Sequence, residues 1–172
     1  DTSELFFDDL IVTTADILGG EGQGFVNMMK ELPRERLILG VGCVGAAQGA
    51  FDLTVAYITE RQAFGQAVAG FQNSRYKLAE MKTDIELCRA MAEKYTAQFI
   101  AGELTSAEAS MLKLAASEMQ GRVADQCVQM FGGYGYMTEY PISRAYLDAR
   151  IQRIYGGTSE IMKELISRSI VS

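Results

Sequence analysis

The sequence contains no histidine. That absence excludes Ser-His-Asp and Cys-His nucleophile systems and every imidazole metal ligand. General-base work near neutral pH must fall to a carboxylate, a lysine or a tyrosine. Cysteine is scarce: Cys43, Cys88 and Cys127 lie far apart in apolar, helix-like patterns. They read as reduced core residues, with no spacing suited to a disulfide framework or a metal. Positive charge is in the minority, 16 Lys and Arg against 22 Asp and Glu. The resulting net charge of −6 lacks the clustered base that duplex nucleic acid demands, so no nucleic-acid partner is expected. No apolar run is read as approaching the ~20 residues of a membrane span, and no signal peptide is read, so neither a membrane-spanning nor a secreted protein is expected. The chain opens with Asp1 rather than Met and reads as a piece of a longer protein.

What is present is 172 residues, enough for one full core, with 48% hydrophobic and 22% charged residues. Residues 4–12, rich in aromatic and β-branched side chains, read as a strand. One strand makes no sheet, so it is assigned to a β domain lying mostly outside this chain. Gly19, Gly20, Gly22 and Gly24 break the chain, and from Phe25 the pattern turns helical. The domain division read here is 1–24, the end of a β domain and its linker, and 25–172, a helical domain.

A first long helix is predicted from near Pro33, a residue favoured in the first turn, to about Glu60. Gly40, Gly42, Gly45 and Gly49 inside it would let a neighbour come close. Leu78, Met81, Ile85, Cys88, Ala92, Tyr95 and Phe99 alternate three and four apart, the buried stripe of a second helix. The capping box Thr105-Ser106-Ala107-Glu108 opens a third, which continues through Leu112, Ala116, Met119, Val123, Cys127 and Met130. A shorter helix runs from Pro141 to about Arg153. A last one follows Thr158 with Ile161, Leu165, Ile166 and Ile170 facing inward. The fold class is all-α, an up-and-down helical bundle preceded by a remnant β-strand.

Four constellations carry candidate chemistry, each beside a plainer structural reading. Arg61-Gln62-Ala63-Phe64-Gly65, with Gln72 beyond it, pairs a phosphate-seeking guanidinium with an aromatic suited to a purine or flavin ring; spacing alone favours a solvated turn anchored by one Phe. Gln129-Met130-Phe131-Gly132-Gly133-Tyr134-Gly135-Tyr136 exposes backbone N–H groups or simply caps a helix. Tyr155-Gly156-Gly157-Thr158-Ser159-Glu160 combines a tight turn with a helix N-terminus, which suits polar ligand groups and also suits an ordinary N-cap. Leu32-Pro33-Arg34-Glu35-Arg36-Leu37 offers a carboxylate base or a solvated charged turn.

In this order, over nearly the whole chain, these motifs resemble the C-terminal helical domain of the acyl-CoA dehydrogenase flavoenzymes. Glu4–Leu10 and Leu18–Phe25 look like the end of that family's middle β domain. Arg61–Gly65, Gln129–Gly133, Glu139-Tyr140-Pro141 and Tyr155–Thr158 match its signature blocks. Many members carry the catalytic glutamate at the position of Gly156. A long-chain and isovaleryl-type subset takes it from the first long helix, in a pattern that Glu35-Arg36-Leu37 fits.

The resemblance implies FAD-dependent oxidation of an acyl-CoA thioester to the trans-2-enoyl-CoA. Glu35 would remove the α-proton while the β-hydride passes to flavin N5, and the Gly156 N–H would donate to the thioester oxygen. It further implies Arg61, Phe64 and Gln72 at the adenosine diphosphate part of FAD. Gln129, Met130, Phe131, Gly132 and Gly133 would approach the same region from another subunit's side. Thr158, Ser159 and Glu160 would lie by the cofactor, and Arg36, Tyr155, Gly156 and Gly157 by the thioester. A homotetramer and an electron-transfer flavoprotein as oxidant are implied, in the mitochondrial matrix or a bacterial cytoplasm. Two alternatives stay open: an acyl-CoA oxidase relative that reacts with oxygen, and a non-catalytic helical oligomerisation module.

Overall fold

A computed structural model describes residues 3–171. They form two compact units, one up to Glu31 and one from Leu32 on. In the first, residues 4–12 form no strand. The departure from expectation has a simple cause: a strand is held by ladder hydrogen bonds, and the described residues offer it no neighbour. Its apolar side chains stand open, Phe6 at 86% and Ile11 at 90% exposure. A 3₁₀ turn at Thr14–Asp16 follows, where the Thr13 N–H and hydroxyl both donate to Asp16, at 2.8 and 2.9 Å. The backbone bond, then the hydroxyl bond, hold the Asp16 carboxyl below its ordinary range.

Helix α1 (Gly24–Glu60) begins well before Pro33, which lies inside it rather than in its first turn. Proline forfeits one backbone hydrogen bond, and the helix continues through it on the bonds of the flanking turns. Beyond Leu32, α1 buries Arg36, Leu37, Gly40, Cys43, Val44, Ala47, Ala50, Thr54 and Ile58, the steps of one helical face. By length and composition this helix could cross a membrane, contrary to the sequence reading. Here its inner face builds the core.

A hairpin absent from the sequence reading follows α1: β1 (Gln62–Ala63) and β2 (Gln66–Ala67), antiparallel, with Gln62 opposite Ala67. Two-residue strands are too short to leave a periodic signal. Phe64 and Gly65 form the turn with φ of 50° and 81°, the left-handed pair that a tight hairpin needs.

Helix α2 (Gln72–Ala101) buries Met81, Ile85, Cys88, Ala92 and Tyr95 and ends at Gly102, whose φ of 74° closes the cap. Phe99 leaves the stripe and is 41% exposed. Helix α3 (Ser106–Phe131) starts on the capping box as read: the Thr105 hydroxyl accepts from the Glu108 N–H at 3.2 Å, and the Thr105 N–H donates to Glu108 at 3.0 Å. A 3₁₀ turn, Gly132–Tyr136, then leads to α4 (Pro141–Ile151), with Pro141 in its first turn.

Thr158 caps α5 (Ser159–Arg168). The side of α5 that faces inward differs from expectation. Ser159 and Met162 are buried, Leu165 and Ile166 are half-buried, and Ile161 and Ile170 stay 50% and 72% exposed. The Ser159 hydroxyl donates to Glu118 of α3 at 2.7 Å, which fixes the helix rotation and turns Met162, three residues on, toward the core.

The bundle is centred on α3, which packs against α2, α4 and α5. Gly40 is where α1 and α3 come close: a Cβ there would lie 2.5 Å from Leu112 Cγ. Gly42, Gly45 and Gly49 face open space, so that role belongs to Gly40 alone among the four.

Candidate active site

Between α4 and α5 the chain makes the turn that contains Gly156 and Gly157, with φ of 64° and 107°. A Cβ at Gly156 would rest 3.5 Å from Leu39 Cδ1 of α1; one at Gly157 would collide with Met162 Cε at 2.6 Å. Two buried cations hold the carbonyls of these glycines. Arg36 Nε donates to the Gly156 carbonyl at 3.3 Å, and Lys113 Nζ donates to the Gly157 carbonyl at 2.6 Å. Arg36 is 4% exposed and Lys113 fully buried. Desolvation lowers the pKa of both; the Glu35 charge opposes it at Arg36, and the Cys43 thiol opposes it at Lys113.

Among the described residues, the Gly156 and Gly157 N–H groups find no acceptor. In a trans peptide the N–H points opposite to the preceding carbonyl, so drawing the Gly156 carbonyl inward turns the Gly157 N–H outward. Arg36, expected to line the thioester end, therefore fastens the turn from its buried side. Its neighbour Glu35 is exposed. Glu35 lies one helical turn before Leu39, on the α1 face that meets Gly156, and not in the first turn of the helix. Tyr155 is half-exposed, and its hydroxyl donates to Gln152 at 2.6 Å. Burial, and next the neighbouring Cys43, raise its pKa.

A second group gathers at the far end of α1 and α3. A cleft of about 550 Å³ is lined by Tyr57, Arg61, Val68, Gln129, Met130, Phe131, Gly132, Gly133, Tyr134 and Met137. Tyr57 stacks on Phe131 with centroids 4.0 Å apart, its hydroxyl donates to the Phe131 carbonyl at 3.4 Å, and the Arg61 guanidinium lies 5.6 Å from the Tyr134 ring centre. Both motifs line this one cleft of the chain, and the Tyr57–Phe131 stack joins the helix ends there. Gly132 and Gly133 leave their backbone open, with nothing within 4 Å of a notional Cβ. A guanidinium, open backbone and aromatic walls fit a diphosphate joined to an aromatic ring system, as in the adenosine diphosphate half of FAD. Phe64 and Gln72 are not in this lining: Phe64 is 98% exposed and meets Phe71 edge-on at 6.4 Å, and Gln72 donates to the Tyr76 hydroxyl.

Thr158, Ser159 and Glu160 form a smaller polar recess of about 190 Å³ with Glu118, Arg150, Arg153 and Ile154. Glu118 accepts from both Ser159 and Arg153, the latter at 3.3 Å. The Glu160 carboxyl is held low by its own backbone N–H and then by the Thr158 hydroxyl. Lys113 and Glu118 are absent from the sequence reading. Lys113 had a signal: it continues the step of four from Ala109 to Ser117, all three residues buried. No acidic, cysteine or histidine cluster suited to a metal occurs among the described residues.

Comparison with known proteins identifies the family of the helical domain. Residues 22–171 match the sequence model of the acyl-CoA dehydrogenase C-terminal domain. The mitochondrial long-chain specific acyl-CoA dehydrogenase of Rattus norvegicus is 51% identical over 172 residues, which are 100% of this chain and 40% of that protein. An acyl-CoA dehydrogenase structure from Geobacillus kaustophilus aligns with a TM-score of 0.92 at 42% identity, covering 96% of this chain and 43% of its own. A glutaryl-CoA dehydrogenase of Mycobacterium smegmatis in complex with FADH2 aligns with a TM-score of 0.78 at 25% identity, covering 81% of this chain and 36% of its own. The chain thus spans about two fifths of the length of the relatives it matches. With 150 consecutive residues, 22 to 171, matched to one family and its helical architecture shared, the chain belongs to the acyl-CoA dehydrogenase family, as its C-terminal helical domain.

Proposed function

We propose that this chain is the C-terminal part of an FAD-dependent acyl-CoA dehydrogenase, with Glu35 as the base that removes the α-proton of an acyl-CoA thioester. The observation that carries the reading is the approach of α1 to the two-glycine turn, through Arg36 on the Gly156 carbonyl and Leu39 beside Gly156. Gly156 brings no carboxylate of its own, and Glu35 stands one turn from Leu39 on the helix that faces it.

The thioester α-carbon is weakly acidic, so its proton leaves only as negative charge builds on the thioester oxygen. The Gly156 N–H, without an acceptor among the described residues, donates to that oxygen. Glu35 takes the proton. Arg36, buried beneath the turn, holds the Gly156 carbonyl and so fixes the peptide that follows it. FAD, when bound, supplies the hydride acceptor. Arg61 and the open backbone of Gly132 and Gly133 would hold its diphosphate, with Gln129, Met130 and Phe131 behind them. Phe64 takes up a left-handed conformation that costs a bulky residue strain, and it exposes its ring beside this region; both features support its contacting a ligand or neighbouring subunit. Gln72, Thr158, Ser159 and Glu160 are the remaining cofactor-side residues, and Tyr155 and Gly157 the remaining thioester-side ones. The whole protein would act as a homotetramer with an electron-transfer flavoprotein as oxidant.

Glu35→Gln in the full-length protein should keep its flavin. Bleaching of the flavin absorbance on adding acyl-CoA should slow by roughly 10²–10⁴-fold, the usual worth of a general base. Bleaching at a near wild-type rate would remove Glu35 from the reaction.

A further inference from the structure

We infer that Tyr134 is the positioning residue for Arg61: its ring holds the guanidinium at the cleft and leaves free the N–H groups that a cofactor diphosphate would take. The inference rests on the functional reading just given and deepens it by one residue that has no role there.

Arg61 directly follows the last residue of α1 and is exposed. Its backbone is pinned on both sides: its N–H donates to the Tyr57 carbonyl at 2.9 Å, and its carbonyl accepts from the Val68 N–H at 2.8 Å. The guanidinium forms no ion pair among the described residues. A free arginine side chain samples many rotamers, and a ligand that must order it binds more weakly for doing so. Tyr134 supplies the missing hold. The guanidinium carbon lies 5.6 Å from the centre of its ring, within the range of a cation–π contact. A carboxylate would hold the arginine more firmly, but it would cover the N–H groups and offset the charge that a phosphate seeks. A ring face attracts the cation and leaves both at the ligand's disposal.

The ring is itself held in place. It stacks on Tyr140 with centroids 5.1 Å apart, and Tyr140 meets Phe131 and Tyr57 edge-on at 6.1 and 6.4 Å. The turn that carries it is packed closely beneath: a Cβ on Gly135 would lie 2.5 Å from the Val128 carbonyl oxygen. The Tyr134 carbonyl also accepts from the Met137 N–H at 3.3 Å. A fixed ring fixes the cation that rests on it. The guanidinium therefore stands in the cleft lining, with the open backbone of Gly132 and Gly133, before any ligand arrives.

The test measures the FAD affinity of the full-length protein by equilibrium dialysis, with Tyr134 and Arg61 replaced singly and together. Tyr134→Leu keeps an apolar side chain and removes the π face. It should bind FAD roughly two- to fivefold more weakly, the worth of one exposed cation–π contact. Tyr134→Phe keeps the ring and should stay close to wild type. In an Arg61→Ala background, Tyr134→Leu should have no further effect, because the group it positions is gone. A merely structural role, or direct contact of the ring with FAD, would weaken binding by the same factor in both backgrounds. Tyr134→Met takes the place of Tyr134→Leu should the leucine variant fail to fold. Equal loss in both backgrounds, or unchanged or tighter binding in Tyr134→Leu, overturns the inference and leaves the functional reading standing. Unchanged affinity in Arg61→Ala overturns the cofactor site and the inference with it.

Discussion

Replacing Gly157 with alanine tests the geometry of the site turn through stability alone. The backbone there has φ of 107°, beyond the left-handed helical region that side chains can enter, so an added Cβ carries strain of about 1–3 kcal/mol. It would also lie 2.6 Å from Met162 Cε. The end of a methionine is flexible, but Met162 is fully buried and must move into an occupied core, which costs another ~1–3 kcal/mol. The sum of about 2–6 kcal/mol lowers the melting temperature by roughly 5–20 °C in a chain of this size. Gly156→Ala is the internal control: its φ of 64° is ordinary left-handed backbone, and its Cβ makes only van der Waals contact with Leu39 at 3.5 Å. That variant should lose about 1–2 kcal/mol. Met162→Ala costs ~2–5 kcal/mol alone, but combined with Gly157→Ala it makes room for the new methyl. The double variant should therefore be more stable than additivity predicts, by about 1 kcal/mol, in a urea-denaturation cycle. A Gly157→Ala protein that melts with the wild type, or a strictly additive cycle, would falsify the argument.

Two further outcomes follow from the helix start and the cleft. Thr105→Ala should cost about 1 kcal/mol through the lost cap of α3. The Thr105 hydroxyl, then its backbone N–H, hold the Glu108 carboxyl below its ordinary range, so this stability is present above that range and lost as pH falls through the lowered value. The difference between Thr105→Ala and wild type in thermal melts should accordingly shrink in acid, and a gap constant down to about pH 2 would contradict the assignment. Arg61→Ala should weaken FAD binding to the full-length protein roughly 10–100-fold, the worth of a charge-assisted hydrogen bond. Unchanged affinity by equilibrium dialysis would take Arg61 out of the cofactor site.

Local chemistry made much of the bundle readable. Thr105 with Glu108, Thr158, and Pro141 mark helix starts because each satisfies or dispenses with an orphan N–H, a requirement confined to a few neighbouring residues. Pro33 misleads for the complementary reason. Its preference for a first turn is mild, and a 37-residue helix absorbs one lost bond. The strand read at 4–12 has the right residues, but pairing is a property of two segments, and propensity speaks for one. The rotation of α5 was hidden because it depends on Glu118, 41 residues away in sequence. At the site, the glycines, the arginines and Glu35 are legible as chemical types at a spacing. Lys113 is marked only by its place in the step of four between Ala109 and Ser117, a weak sign because a lone lysine on a helix usually keeps its charged head in water. The meeting of Arg61 with Gln129–Gly133 depends on the Tyr57–Phe131 stack, which no local pattern announces.

Leu112 and Lys113 are neighbours on α3 with different assignments: Leu112 sits where Gly40 gives α1 room, and Lys113 reaches Gly157. One peptide bond separates the anchor for the helix that carries Glu35 from the anchor for the Gly156–Gly157 turn. The spacing between helix and turn is therefore read off a single rigid rod. Inserting or deleting one residue in the first half of α3 would rotate both anchors by about 100°. Length variation here should be far less tolerated than exchange of one side chain for another.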